Sequence, residues 1–240
     1  MRFEEAARRL RFRPSELPSP PAARAPFVRG PHGGFLTVDE NAGEPLVPGD
    51  GPAGGPDRGA KAREAAVLEL LCPGPDDEAY VLLMERPEGD LRHAGEVSFP
   101  GGVVEPADTS AAAAALREAQ EEVGLDAGQA GIEVLGLLTP VVVRVSSFRI
   151  TPVLALADRR PFVEANAREV AAILEVPVAA FLPDAPVEIV DAERGGYQLR
   201  FGAYQVAGYR IWGATARILG QLGATLGSGA EADRKAPDPA

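Results

Sequence analysis

Only one cysteine and two histidines occur in the 240 residues. A single cysteine excludes an internal disulfide and any cysteine-based metal site. Cys72 closes an apolar, strand-like run, which predicts a buried structural thiol rather than a nucleophile. Long apolar runs are missing as well. Nothing approaches the roughly 18 consecutive apolar residues of a membrane-crossing helix. The first residues, MRFEEAARRLRFRPSEL, lack the apolar centre of a secretory signal. Positive charge is scarce: 24 Lys and Arg stand against 35 Asp and Glu, a formal charge of −11. Such a balance argues against a nucleic-acid-binding surface. The expectation is a soluble, cytoplasmic protein without nucleic-acid or membrane partners.

What is present suffices for a core, since 45% of the residues are hydrophobic. Phe3 to Leu10 has the spacing of a short amphipathic helix. From Pro14 to Gly59 the chain is rich in Pro and Gly, and only Gly34 to Val38 is strand-like, so residues 1–61 read as a partly irregular extension. Within it, GGPDRGAK (Gly54 to Lys61) lacks the Gly-Lys-Ser/Thr ending and the preceding strand of a phosphate-binding P-loop. Order is expected over residues 62–227. Ala65 to Leu71 and Ala79 to Met84 read as a hairpin around Pro73 to Asp77. Ile132 to Leu138, Phe148 to Leu156 and Glu169 to Val176 read as further strands, the last entering a short helix at Pro177 to Leu182. Val187 to Val190, Tyr197 to Phe201 and Tyr204 to Val206 are short strands, and Ile211 to Leu226 is a closing helix stopped by Gly227. Residues 228–240, small, charged and proline-bearing, read as a disordered tail. Strands interleaved with two main helices predict an α/β fold with a mixed sheet between helical layers.

One stretch stands out chemically: FPGGVVEPADTSAAAAALREAQEEVGL, Phe99 to Leu125. Its alanine-rich centre predicts helix. Asp108, Thr109 and Ser110 are N-cap candidates, and Gly124 is the stop. Ala112, Leu116, Ala119 and Val123 make one apolar stripe. Glu118, Glu121 and Glu122 lie three and four apart, so their charges repel unless a cation or proton compensates. Grouped carboxylates of this kind suit hard cations such as Mg²⁺ or Mn²⁺. By themselves the glutamates fit a solvated helix face better than a metal site, and Pro100-Gly101-Gly102 alone fits an ordinary turn.

The spacing changes that balance. The segment resembles the Nudix box, G-x5-E-x7-R-E-U-x-E-E-x-G-U, closely from Arg117 to Leu125, with Ala119 in the first apolar slot. Upstream, a one-residue insertion places Gly102 at the start and Asp108 in the acidic position. That insertion resembles the coenzyme A pyrophosphatase branch. So does Leu82 to Gly102, LLMERPEGDLRHAGEVSFPGG, which departs from the branch at Met84, at Pro87 and in the length of its Arg86–Leu91 loop. The resemblance implies a Nudix α/β/α sandwich with a mixed central sheet. It implies Mg²⁺ or Mn²⁺ held by Glu118 and Glu122, with Glu121 joining or assisting. Arg117 would be structural, paired with Asp108 (or Glu105) and with Glu121.

The group that takes the proton from water varies in the family, and Glu121 or Glu169 could serve; Glu169 fits an ordinary surface position equally well. Gly101 and Gly102 let backbone approach metal and phosphate. Arg86, Arg92 and Arg144 are candidate substrate contacts, although the first two fit solvated loop arginines as well. His93 reads as a hydrogen-bonded loop residue and Trp212 as core packing. The implied activity is hydrolysis of the pyrophosphate of coenzyme A or its thioesters to 3′,5′-ADP and 4′-phosphopantetheine. The alternatives are another nucleoside diphosphate derivative, such as ADP-ribose or a dinucleotide, or a non-catalytic Nudix-fold binding module. The expected partner is a small nucleotide, and the reading admits a homodimer.

Overall fold

The computed structural model describes residues 1–11, 27–29, 35–37, 62–88, 95–143, 147–194 and 197–234. In chain order these form α1 (Phe3–Arg11), β1 (Phe27–Arg29), β2 (Phe35–Thr37), β3 (Arg63–Pro73), β4 (Ala79–Glu85), β5 (Val97–Ser98) and β6 (Gly101–Val103). Then come α2 (Ala111–Val123), α3 (Ala127–Ala130), β7 (Ile132–Leu137), β8 (Val141–Val143), β9 (Phe148–Ala157) and β10 (Ala172–Pro177). A short 3-10 turn over Val178–Phe181 leads to β11 (Glu188–Arg194), β12 (Tyr197–Val206), β13 (Tyr209–Ile211) and α4 (Gly213–Arg234).

Strand alternation builds the layers. On β3, Ala66, Leu68, Leu70 and Cys72 face one side, where they meet Ala114, Ala115, Ala119 and Val123 of α2. Leu71, one residue out of step, faces the other side and joins Phe3, Ala6, Ala7 and Leu10 of α1 with Leu222 and Leu226 of α4. β9 divides in the same way: Val153 and Ala155 pack with α2, Leu154 and Leu156 with α1 and α4. A strand buried on both faces reads as a near-continuous apolar run, which is how the later part of β9 looks in sequence and, apart from Glu69, the later part of β3 as well.

The result is the expected α/β/α sandwich. Its central sheet has the order β10-β4-β3-β9-β7, with β5 on β4, β6 on β3 and β8 on β9. The β3–β9 pair is parallel and the others are antiparallel, so the sheet is mixed. The hairpin of β3 and β4 forms with Leu71 opposite Val81.

Three elements differ from the sequence expectation. A second sheet, β11-β12-β1-β2 with β13 on β12, recruits two strands from the Pro/Gly-rich extension. β12 is one continuous strand rather than two. α4 passes through Gly227 to Arg234, so residues 228–234, expected in a disordered tail, continue the helix. Gly227 does not stop it because here the glycine serves close packing: a Cβ on Gly227 would stand 2.5 Å from the Pro183 ring.

Candidate active site

β6 and α2 bring the Gly-Gly loop and the glutamate helix together. The α2 N-cap is Ser110, whose hydroxyl accepts from the Ala113 N–H at 3.1 Å. Gly124, at φ +63, closes the helix in the left-handed conformation. Between these ends, Ala119 and Val123 press onto β3 and β9 as expected. Their burial carries Glu122 inward, and its side chain is 5% exposed.

Glu122 lies over the loop, with Oε2 accepting from the Gly101 N–H at 2.8 Å. The Arg86 guanidinium, at the end of β4, stands 3.9 Å from Glu122 Oε1. Glu118 lies over Gly102, where a Cβ would come within 2.5 Å of its carboxylate. A side chain at residue 102 would have to push that carboxylate aside. Arg117 ties the box together. Its Nε and Nη2 fork onto the two oxygens of Asp108 at 3.1 and 3.0 Å, and Nη2 also reaches the Val103 carbonyl at 3.2 Å. Nη1 donates to Glu118 at 3.0 Å and to Glu121 at 3.1 Å. Asp108 is thus the acidic partner at the start of the box, reached through the one-residue insertion, and Glu105 contributes its backbone N–H to Asp108 at 2.8 Å.

The charges are under tension. Burial pushes the Glu122 carboxyl up to about 7, against the Gly101 N–H and Arg86, which favour ionisation; the charges of Glu118 and Glu169 add to the rise. Glu118 is raised too, first by burial and then by Glu121 and Glu169, while Arg117 opposes this. Asp108 moves the other way: the Arg117 guanidinium and the Glu105 N–H hold its carboxyl below the usual range. Cys72, buried in the core, is pushed up to about 12 and is inert.

The exposed Glu169 reaches the site from the loop between β9 and β10, forty-seven positions after Glu122 in sequence but close enough in space to act on both raised glutamates. Asn166, which sequence reasoning missed, fastens that loop to α2: its N–H donates to the Glu122 carbonyl at 2.8 Å. No local pattern marks such a residue. Arg92, His93 and Arg144 lie outside the described residues.

A hard divalent cation fits this set. The donors are carboxylate oxygens, two of them with raised pKa values through burial and mutual repulsion, and the Gly102 Cα leaves room beside Glu118. Glu118 and Glu122, with Glu121 beside them, would hold it. Among the described residues no three carboxylates, histidines or cysteines already converge into a cage; Arg117 takes up Glu118 and Glu121 instead.

Sequence comparison with known proteins points to one family. The model of the NUDIX domain matches residues 72–188. An uncharacterized Nudix hydrolase NudL of Cronobacter sakazakii is 38% identical over 165 residues, covering 69% of this chain and 83% of the relative. Its counterpart in Photorhabdus laumondii is 40% identical over 163 residues, covering 67% and 83%. Among solved structures, the Nudix hydrolase RenU of M. smegmatis aligns over 89% of this chain and 98% of its own, with 18% identity and a TM-score of 0.45. With more than four-fifths of each NudL protein covered at this identity, the chain belongs to the Nudix hydrolase family.

Proposed function

We propose that this hydrolase cleaves the pyrophosphate of coenzyme A or its thioesters, yielding 3′,5′-ADP and 4′-phosphopantetheine or its acyl form. The observation that carries hydrolysis is the pair Glu118 and Glu122, fixed over Gly102 and Gly101 on a rigid helix. The coenzyme A assignment is supported by the Leu82–Gly102 segment and by Asp108 in the shifted acidic position.

A bound divalent ion would neutralise phosphate charge and acidify water, which makes a nucleophile available near neutral pH. Glu118 and Glu122 hold that charge in place, and the backbone of Gly101 and Gly102 stays open to the phosphates. Arg86, whose side chain is 39% exposed beside Glu122, offers its guanidinium to a phosphate oxygen. Water attacks one phosphorus, the bridging P–O bond breaks, and the proton passes to a carboxylate. Glu169 suits that task because it is exposed and no arginine pairs with it in the described structure, whereas Glu121 is engaged by Arg117.

The test is a panel of coenzyme A, acyl-coenzyme A, ADP-ribose and dinucleotides with Mg²⁺ or Mn²⁺. Coenzyme A or its thioesters should show the highest kcat/KM. Faster turnover of ADP-ribose at low substrate overturns the coenzyme A assignment. Glu118→Gln and Glu122→Gln should each lower turnover by more than roughly 100-fold, beyond the usual effect of losing an outer partner of a metal site. If the parent hydrolyses nothing and a folded double variant binds ligand normally, the protein is a binding module instead.

A further inference from the structure

The last turn of a helix leaves four carbonyls without intrahelical partners. In α2 all four are answered. The Gln120 carbonyl accepts from the Gly124 N–H at 3.1 Å and the Val123 carbonyl from the Glu164 N–H at 2.9 Å. The other two, those of Glu121 and Glu122, are taken by one residue. Asn166 donates its backbone N–H to Glu122 at 2.8 Å and its side-chain amide to Glu121 at 3.4 Å. These are the carbonyls of two box glutamates.

The same residue shapes the turn that carries Glu169. The side-chain Oδ1 of Asn166 accepts from the Arg168 N–H at 3.3 Å. Its carbonyl accepts from the N–H groups of Glu169 and Val170, both at 2.9 Å. Val170, 2% exposed, then anchors the far end of the turn in the core beneath α2. Asn166 therefore grips the glutamate helix on one side and the Glu169 turn on the other, with no intervening residue. Few side chains can do both: an amide has a donor for a helix carbonyl and an acceptor for an N–H two residues on.

We infer that Asn166 is a positioning residue, which sets the Glu169 carboxylate against the Glu118–Glu122 pair by locking its turn to the end of α2. This rests on the proposed role of Glu169 as proton acceptor. If the lock is lost, Glu169 samples positions away from the reacting water, while the substrate still meets the same binding groups. The defect then falls on kcat more than on KM.

The experiment is a double-mutant cycle on the full chain with Mg²⁺ and the best substrate of the panel, joined to amide exchange on the metal-free protein. Glu169→Gln should lower kcat by roughly 100-fold or more, as loss of a general base does. Asn166→Ala should lower kcat about 10-fold, in the range of outer partners that orient a site, with KM little changed and faster exchange of the Arg168 amide. Asn166→Ser, whose hydroxyl can accept from the same N–H but is too short to reach the Glu121 carbonyl as well, should recover part of the loss. In the Glu169→Gln background, Asn166→Ala should cost less than about two-fold, because coupled residues are not additive. The inference is overturned if the two losses multiply, or if Asn166→Ala lowers only the thermal midpoint and leaves kcat per folded molecule unchanged. A fully active Glu169→Gln protein overturns it differently, by removing the role of Glu169 itself.

Discussion

Glu122 is a buried carboxylate whose position costs stability. With its side chain 5% exposed and its carboxyl pushed up to about 7 from 4.5, it holds a proton that the unfolded chain has already released between those pH values. Stability contributed by the protonated form is therefore present below about pH 4.5, falls as pH rises through the window, and is fully lost above about pH 7. The loss is at most about 3.5 kcal/mol, at about 1.4 kcal/mol per unit. In metal-free protein, Glu122→Gln should raise the thermal midpoint at pH 8 by about 3–8 °C, with the gap shrinking towards pH 5. A gap equal at both values assigns the change to packing. By themselves the i, i+4 carboxylates fit a solvated helix face better, and the resemblance to the Nudix box makes Glu122 a ligand candidate. Its raised pKa was not legible, since the shift comes first from burial in the folded chain and then from the charges of Glu118 and Glu169.

At the scale of the element, α2 was readable at both ends. Ser110 is the cap among three adjacent candidates and Gly124 is the stop, as expected. The buried face is turned slightly from the predicted stripe: Ala114 and Ala115 are in the core, whereas Ala112 and Leu116 pack at its edge. Hydropathy periodicity mislays the face because Glu122 occupies a buried position on it. The loop–helix contact supplies a direct test. A Cβ at residue 102 would stand 2.5 Å from the Glu118 carboxylate, so Gly102→Ala must displace Glu118 while leaving the core untouched. Turnover should fall roughly 10- to 100-fold, the range seen when the support of a metal site is disturbed, and Mn²⁺ affinity should fall with it. Unchanged Mn²⁺ binding would show that Glu118 tolerates the move. The closure of α2 by Asn166 and Glu164 could not be read from sequence, because those residues lie some forty positions beyond the helix carbonyls they satisfy.

For the whole molecule, the layers were legible and their partners only partly so. The doubly buried runs of β3 and β9 predict a sheet covered on both faces, and α2 covers one of them. What covers the other face is non-local: α1 had the spacing of an amphipathic helix, but nothing in nine residues specifies its dock. In the fold, Phe3, Ala6, Ala7 and Leu10 enter the same cluster as Leu154 and Leu156 of β9 and Leu222 of α4. Arg9 adds a hydrogen bond to the Leu226 carbonyl at 2.5 Å, and the Phe3 N–H donates to the Asp77 carbonyl at 2.9 Å. α1 is thus a structural part of the layer that backs the central sheet, on the face opposite α2 and its glutamates. Leu10, 1% exposed, tests this arrangement. Leu10→Ala removes buried methyl groups and leaves a cavity, at a cost of about 2–5 kcal/mol. At roughly 2–4 °C per kcal/mol for a chain of this size, the thermal midpoint should drop by several degrees or more. Turnover measured well below that midpoint should equal the parent's, because the sheet separates Leu10 from Glu118 and Glu122. If turnover per folded molecule falls as steeply as stability, α1 influences the site through β3, and the two faces of the sheet are coupled.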